Sequence, residues 1–356
     1  MKKLISLSLA LLMALGMVSF AAAAEETYDL ALVTDVGTID DKSFNQGAWE
    51  GVVAYAEEYG ISHKYYQPAE QTDDAYLDAI QLAVEGGAKI VVTPGYLFEV
   101  PIFIAQDMYP DVFFVLVDGN PHSADYSEYR TEKNAVGIVY AEEQSGFLAG
   151  YAAVKEGYTK LGFMGGMAVP AVIRFGYGFV QGAEYAAKEM GIDAVSINYH
   201  YTGGFAATPE AQNLAASWYN DGVEVIFACG GSVGNSVMAA AAAADGKVIG
   251  VDVDQGAESV TVISSAMKGL SESVYQAIEA YYNNEFPGGE SWLLGADRNG
   301  VGLPLGDTFR FSVFTRDDYA AIFAKLVAGE IKLVKDGDVA DAAAIPTEVV
   351  TVALIN

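Results

Sequence analysis

The chain has 356 residues, with 47 acidic side chains against 19 Lys and Arg, and a formal net charge of −28. So acidic a surface repels nucleic acid and anionic lipid, which excludes nucleic-acid binding as its role. The single cysteine, Cys229, cannot form an internal disulfide, so stability must come from a buried core, for which the length suffices.

The first residues predict a cleaved secretory signal. Lys2 and Lys3 precede an apolar run over residues 4–20, and four alanines then lead into Glu25. A basic start, a short apolar core and a small-residue exit are typical of such signals. We therefore expect residues 1–24 to be removed and the protein to be exported, to the periplasm or the outer face of the cell membrane. No cysteine lies near the exit, so we expect no lipid anchor there.

After the signal, short β-branched runs alternate with amphipathic segments, which is typical of a parallel α/β sheet. In the first half the predicted strands are 30–34, 63–67, 89–93 and 112–118, and the predicted helices are 44–59, 73–85 and 98–108. In the second half the predicted strands are 160–164, 194–201, 225–229 and 247–252, and the helices are 171–190, 209–220 and 232–244. Ser43 and Gln46 predict a capping box before the first helix, and Gly60 predicts its end.

Because the pattern occurs twice, we predict two similar doubly wound parallel-sheet lobes joined by a multi-strand hinge. Residues 134–140 are predicted to leave the first lobe, 142–156 to form the opening helix of the second, and 260–265 to cross back. We assign residues 25–141 and about 266–300 to the first lobe. Residues 142–265 and about 301–356 are assigned to the second.

Ligands of open parallel sheets bind beyond the carboxyl ends of the strands, so those ends predict the site. Residues of three kinds occur there, namely the carboxylates Asp35, Asp118 and Asp252, the glycine pairs 165–166, 203–204 and 230–231, and the aromatics Phe44, Tyr96, Phe175 and Phe205. Carboxylates accept hydrogen bonds, glycines allow close approach of backbone amides, and aromatic rings stack on planar groups. The combination favours a neutral polar ligand with a flat part, such as a nucleoside. Helix capping by the aspartates and ordinary turns at the glycines remain the alternatives.

Catalysis is poorly supported by the sequence. The histidines His63, His122 and His200 are far apart, and no phosphate loop, G-x-S-x-G, H-E-x-x-H or Cys/His metal spacing occurs. Cys229 ends an apolar run and reads as a small buried residue. We expect no catalytic residue, no metal and no cofactor. The acidic residues 40–41 resemble an acid/base pair, but a solvated loop that caps the next helix explains them better.

A family resemblance is carried by seven segments in order along the chain. They are residues 34–51 (TDVGTIDDKSFNQGAWEG), 117–122 (VDGNPH), 147–153 (FLAGYAA), 163–167 (FMGGM), 174–182 (RFGYGFVQG), 248–255 (VIGVDVDQ) and 263–275 (ISSAMKGLSESVY). With these segments the chain resembles the basic membrane protein family, the purine-nucleoside-binding receptors of bacterial ABC importers. The resemblance covers nearly all of the chain after the signal.

The resemblance implies a type I periplasmic-binding-protein fold that holds a nucleoside between its lobes and delivers it to an ABC permease. It assigns three groups of ligand-binding residues, namely Asp35, Asn45 and Asp118 on the base, Phe44 with Phe175 or Phe205 on its faces, and Gly230 or Gly231, Asp252 and Lys268 on the ribose hydroxyls. Lys268 comes from the resemblance alone. A lysine donor beside an aspartate acceptor suits a vicinal diol, since each hydroxyl both donates and accepts.

The chain departs from the family in three places. The family is usually lipid-anchored, whereas this chain lacks the anchoring cysteine, and residues 206–209 (AATP) stand where the family usually has an acidic residue. Residues 226–235 (IFACGGSVGN) also differ from the usual form. Without the anchoring cysteine, we expect the protein to meet the membrane only through the permease. The other departures support a purine base less well than they support nucleoside binding in general. We also expect a monomer. The alternatives are the ligand-binding subunit of a sensory system and a nucleoside-cleaving enzyme that uses Asp35 with Asp40 or Asp41.

Overall fold

The computed structural model describes residues 27–35 and 37–355, so the predicted signal lies outside the described residues. The strands are β1 (Leu30–Val33), β2 (His63–Tyr66), β3 (Ile90–Pro94), β4 (Phe113–Val117), β5 (Ala135–Tyr140), β6 (Lys160–Gly165), β7 (Val195–Tyr201), β8 (Val225–Cys229), β9 (Lys247–Asp252), β10 (Val262–Lys268), β11 (Glu290–Leu294), β12 (Val301–Gly302) and β13 (Val350–Leu354). The α-helices are α1 (Phe44–Tyr59), α2 (Asp73–Glu85), α3 (Glu99–Met108), α4 (Glu142–Glu156), α5 (Pro170–Met190), α6 (Pro209–Asn220), α7 (Val233–Ala244), α8 (Leu270–Tyr282) and α9 (Arg316–Val327).

The strands form two sheets, one in each lobe. The first has six strands in the order β11-β5-β4-β3-β1-β2, and all of its strand pairs are parallel. The second has seven, in the order β12-β10-β9-β8-β6-β7-β13, with β12 antiparallel to β10. The central strands β1, β3 and β8 are buried at every residue, as expected where helices cover both faces of a parallel sheet. The predicted α/β fold with two doubly wound lobes is confirmed.

Three crossings connect the lobes. The chain passes to the second sheet after Tyr140, returns after Lys268, and passes over again after Leu294. α8 packs on α1 in the first lobe, and β11 extends the first sheet. Each passage brings a strand end to the hinge, so residues next to the crossings lie close to both lobes.

Helices α4 and α5 pack backbone against backbone in the second lobe. A Cβ added at Gly146 would lie 2.0 Å from the Phe175 carbonyl oxygen, and one at Gly178 would lie 2.1 Å from the Glu143 carbonyl oxygen. Only glycine permits so close a contact, which accounts for Gly146 in α4 and Gly178 in α5. The contact also fixes the start of α4 relative to α5.

The predicted elements agree with the structure where the sequence pattern is strong. Helices α1, α2, α4 and α6 have the predicted bounds, and α1 ends at Gly60, whose φ is 67°. The prediction lacked α8, β11 and β13, and it ended β10 three residues early. No helix among residues 27–35 and 37–355 has both the length and the apolar character needed to cross a membrane.

Candidate functional site

A cavity of about 460 Å³ lies between the lobes at the carboxyl ends of the strands. The structure brings all the predicted ligand-binding residues to its wall, namely Asp35, Phe44, Asn45, Asp118, Phe175, Phe205, Gly230, Gly231, Asp252 and Lys268. The sequence analysis did not single out several further lining residues, among them Thr38, Gln71, Val169, Val172 and Val251. Val251 lies inside the predicted strand 247–252, and Thr38 and Gln71 each follow the end of a predicted strand by four residues, so proximity to a strand end was the available signal.

Asp35 and Asn45 form the polar wall in the first lobe. Asn45 Nδ2 donates to Asp35 Oδ1 at 2.9 Å and to Asp41 Oδ2 at 3.2 Å, and the Gly37 N–H donates to Asp35 Oδ1 at 2.7 Å. Asn45 Oδ1 is buried and has no hydrogen-bond partner among the described residues. Burial raises the pKa of Asp35 to about 6, against the lowering effect of its hydrogen bonds with Gly37 and Asn45. At neutral pH this wall therefore offers acceptors for ring N–H or amino groups.

Asp41 caps helix α1 as a buried carboxylate. It accepts backbone N–H bonds from Ser43, Asn45 and Gln46 at 2.9–3.1 Å. The capping role agrees with the prediction, but the predicted solvated setting is wrong at this residue, which is 8% exposed. The predicted capping box is also wrong, because the Ser43 side chain makes no capping bond. Its Oγ instead donates to Asp252 Oδ2 in the other lobe at 2.6 Å.

Lys268 lies among carboxylates at the hinge side of the cavity. Its Nζ donates to Asp118 Oδ2 at 2.5 Å and lies 3.5 Å from Asp252 Oδ1 and 3.7 Å from Glu142 Oε1. Burial lowers the pKa of Lys268, but the three carboxylates outweigh it and raise that pKa overall. Burial raises the pKa of Asp118 to about 7, with Lys268 opposing and Glu142 adding to the rise. The resemblance assigned Asp118 to the base, yet its ion pair groups it with Lys268 and Asp252.

Asp118 and Asp252 occupy equivalent places in the two lobes. Asp118 follows the fourth strand of the first lobe, and Asp252 ends the fourth strand of the second. Both have left-handed backbones, with φ of 64° and 66°. Non-glycine residues in this conformation are uncommon and concentrate at functional sites.

The predicted aromatic residues take different positions around the cavity. The Lys268 Nζ lies 4.5 Å from the centroid of the Phe44 ring and 5.6 Å from that of Phe175. Phe175 is fully buried and contacts Phe227 edge to face, whereas Phe44 and Phe205 are half-buried. Phe44 and Phe205 thus have more ring surface facing the cavity.

The glycines at the second-lobe strand ends allow two loops to touch. A Cβ on Gly230 would lie 2.6 Å from the Gly166 backbone nitrogen, whose N–H donates to the Cys229 carbonyl at 2.9 Å. Gly231 has a positive φ of 54°. These glycines are therefore required by the turn itself, and they also leave the cavity wall open at this point.

His122 and Cys229 occupy different positions relative to the cavity. His122 is buried and bonded to Glu99 and to the Ser123 carbonyl, and it does not line the cavity. Cys229 lines the cavity, but burial raises the pKa of its thiol and so disfavours the nucleophilic thiolate. In residues 27–35 and 37–355, no group of three or more His, Cys, Asp or Glu side chains is placed to hold a metal ion.

Sequence comparisons place this architecture among transport proteins. Residues 29–333 match the family model described as Bmp, ABC transporter substrate-binding protein PnrA-like. The ABC transporter nucleoside-binding protein BmpA of Lactococcus lactis is 30% identical over 298 residues, covering 77% of this chain and 81% of the relative. Basic membrane protein A2 of Borrelia garinii is 30% identical, covering 75% of this chain and 77% of the relative.

Solved structures show the same fold. An ABC transporter solute-binding protein from Aeropyrum pernix superimposes with a TM-score of 0.73 at 25% identity, covering 87% of this chain and 94% of that one. A lac repressor shares the fold alone, with a TM-score of 0.53 at 14% identity and coverage of 80% and 100%.

Proposed function

The chain belongs to the basic membrane protein family of ABC transporter substrate-binding proteins, and from this premise we propose that its ligand is a nucleoside, with a purine as the base. The observation that carries the proposal is the composition of one interlobe cavity. Hydrogen-bond acceptors at Asp35 and Asn45, the ring of Phe44, and the Lys268 ammonium between two carboxylates all face the same space. The printed description of the Lactococcus relative as nucleoside-binding agrees with it.

Each part of the cavity suits one part of a nucleoside. The Asn45 Oδ1 and the Asp35 carboxylate accept hydrogen bonds from the base, while Phe44 and Phe205 flank its two faces. Asp118 and Asp252 accept from the ribose hydroxyls, and Lys268 donates to them. This arrangement moves Asp118 from the base to the sugar, because its ion pair lies in the Lys268 cluster.

Capture between the lobes explains the partner and the place of action. Substrate-binding proteins of ABC importers act outside the cytoplasm, and we propose that residues 1–24 direct export of a monomer to that compartment. Closure of the two lobes over the ligand presents a surface formed by both lobes to the permease. We propose that residues 25–141 and about 266–300 form one lobe and that residues 142–265 and about 301–356 form the other.

The positions of Asp40 and Asp41 favour binding of the nucleoside over its cleavage. A nucleoside-cleaving enzyme would need Asp35 with Asp40 or Asp41 as acid and base. Asp41 is occupied by three backbone N–H groups, and Asp40 does not line the cavity. Release of hypoxanthine from inosine, followed by chromatography, tests this directly; turnover would contradict the proposal.

A thermal-shift panel of nucleosides, free bases, sugars and amino acids tests the ligand class. The protein is first unfolded and refolded to remove any bound molecule. A nucleoside at 100 times its dissociation constant stabilises the folded state by about 2.7 kcal/mol. The proposal fails if no nucleoside raises the melting temperature while a sugar or an amino acid does.

A further inference from the structure

Glu142 is a fully buried carboxylate that lies outside the cavity wall. It is the first residue of α4, directly after the first crossing between the lobes, and is 0% exposed. Its Oε2 accepts a hydrogen bond from Arg174 Nε at 2.6 Å. Its Oε1 lies 3.7 Å from Lys268 Nζ and has no hydrogen-bond partner among the described residues. Burying such a charge costs several kcal/mol, so stability alone does not account for it.

Arg174 extends this contact towards the protein surface. Its Nη1 lies 3.2 and 3.3 Å from the two carboxylate oxygens of Asp336, in the segment that follows α9. The charges therefore alternate from Asp336 through Arg174, Glu142 and Lys268 to the aspartates of the cavity. Glu142 is the only link in this series that contacts Lys268 without lining the cavity.

We propose that Glu142 and Arg174 are positioning residues for the ligand, which hold the Lys268 ammonium between Asp118 and Asp252 from outside the cavity. The inference rests on the proposed function, in which Lys268 donates to the sugar hydroxyls. Without a further contact, the Lys268 ammonium would move with its nearest carboxylate, that of Asp118. With Glu142 on a further side and Arg174 fixing Glu142, the ammonium keeps one place relative to both aspartates, as recognition of a vicinal diol requires.

The charges of Glu142 and Arg174 also change the pKa of Asp118, and this effect can be measured. The titratable or charged groups that face Asp118 and Lys268 are Glu142, Asp252, Arg174, Tyr140 and Cys229. The negative charge of Glu142 raises the pKa of Asp118, and by reciprocity the positive charge of Arg174 lowers it. Because ionised Asp118 accepts from the sugar, removing Glu142 or Arg174 should move the pH profile of binding in opposite directions.

The experiment measures binding of two probes by calorimetry, inosine and 2′,3′-dideoxyinosine, between about pH 5.5 and 8.5. The variants are Glu142→Gln and Arg174→Gln. Glu143→Gln is the matched control, because Glu143 is the next residue, is equally buried and loses an ion pair with Lys335 at 2.9 Å, yet does not contact Lys268.

Glu142→Gln should weaken the binding of inosine about tenfold, a loss typical of residues that are energetically coupled to a neighbour. The affinity for dideoxyinosine should stay within about twofold of wild type, because the lost contacts act on the diol that this probe lacks. The midpoint of the pH profile of inosine binding should move to lower pH in Glu142→Gln and to higher pH in Arg174→Gln. It should not move in Glu143→Gln. If Glu142→Gln does not fold, the upward shift in Arg174→Gln decides the question alone, and an unchanged midpoint there overturns the proposal.

Other results overturn the inference in distinguishable ways. Equal weakening of both probes, midpoints that move the same way, or a Glu142→Gln profile matching that of Glu143→Gln would show that the pair has only a structural role. Wild-type protein that binds inosine in those cases keeps the proposed function. Wild-type protein that binds no nucleoside overturns the proposed function, and this inference with it.

Discussion

Replacing Asp118 by Asn should stabilise the protein at pH 8 while weakening nucleoside binding. The buried cluster contains three carboxylates, Asp118, Asp252 and Glu142, against two cations, Lys268 and Arg174. Burial, with the neighbouring carboxylates Glu142 and Asp252, raises the pKa of Asp118 from 3.8 to about 7 against the lowering effect of Lys268. An amide of the same shape removes the excess negative charge, but it also removes an acceptor that we assign to the ribose.

The magnitude follows from proton linkage. A carboxyl with a raised folded-state pKa binds its proton more tightly when folded, so the resulting stability is complete below pH 3.8 and is lost as pH rises through about 7. Between pH 5 and pH 8 wild-type protein should therefore lose about 3 kcal/mol through Asp118, and Asp118→Asn should not. The variant should melt above wild type at pH 8, with that advantage smaller by about 3 kcal/mol at pH 5.

Thermal unfolding of refolded, ligand-free protein at the two pH values measures this difference. Asp125→Asn is the control, because hydrogen bonds from Ser127 and Ser123 lower the pKa of that exposed carboxyl to about 2. Both of its pKa values lie below pH 5, so its stability relative to wild type should not change between the two conditions. Two results would refute this prediction. One is an Asp118→Asn melting temperature below that of wild type at pH 8, and the other is the same difference in melting temperature from wild type at both pH values.

Three further predictions concern stacking, sugar recognition and helix packing. Phe44→Ala should weaken any nucleoside by about 1–3 kcal/mol in calorimetry with little change in melting temperature; unchanged affinity would remove stacking from the proposal. Asp252→Ala should weaken inosine more than hypoxanthine, and an equal loss for both would contradict its contact with ribose. Gly178→Ala should destabilise the protein by about 1–3 kcal/mol or more, because its Cβ meets the Glu143 carbonyl at 2.1 Å. Gly306→Ala, with no atom within 4 Å and no positive φ, should melt like wild type.

The sequence predicted those parts of the fold that have a local signal. Helix α1 has an amphipathic run and a glycine stop, and β8 is a continuous apolar run, so both have the predicted bounds. The edge strands β11 and β13 are largely exposed and have no such run. An edge strand is held on one side only, by a partner distant in the chain, and its residues give little sign of that pairing.

The site shows the same division. Asp35 and Asp252 could be found from the sequence because strand ends meet at one edge of a parallel sheet. Lys268 required the family resemblance, since the prediction ended its strand before reaching it. Glu142 gave no signal, because an acidic residue in the first turn of a helix is ordinary. Its contact with Lys268 appears only when α4 and β10 are brought together.

The three crossings of the hinge also set the order in which the molecule can be completed during synthesis. β5 pairs on one side with β4, and its other side receives β11, from residues 290–294. Five of the seven strands of the second sheet, β6 to β10, lie between these two strands in the chain. The first lobe therefore keeps an open strand edge until those five strands have been made, and an unpaired edge favours pairing with other chains. We expect the open edge of β5 to pair with other chains when a nascent chain is stalled before residue 290, and a chaperone that covers this edge should prevent the pairing.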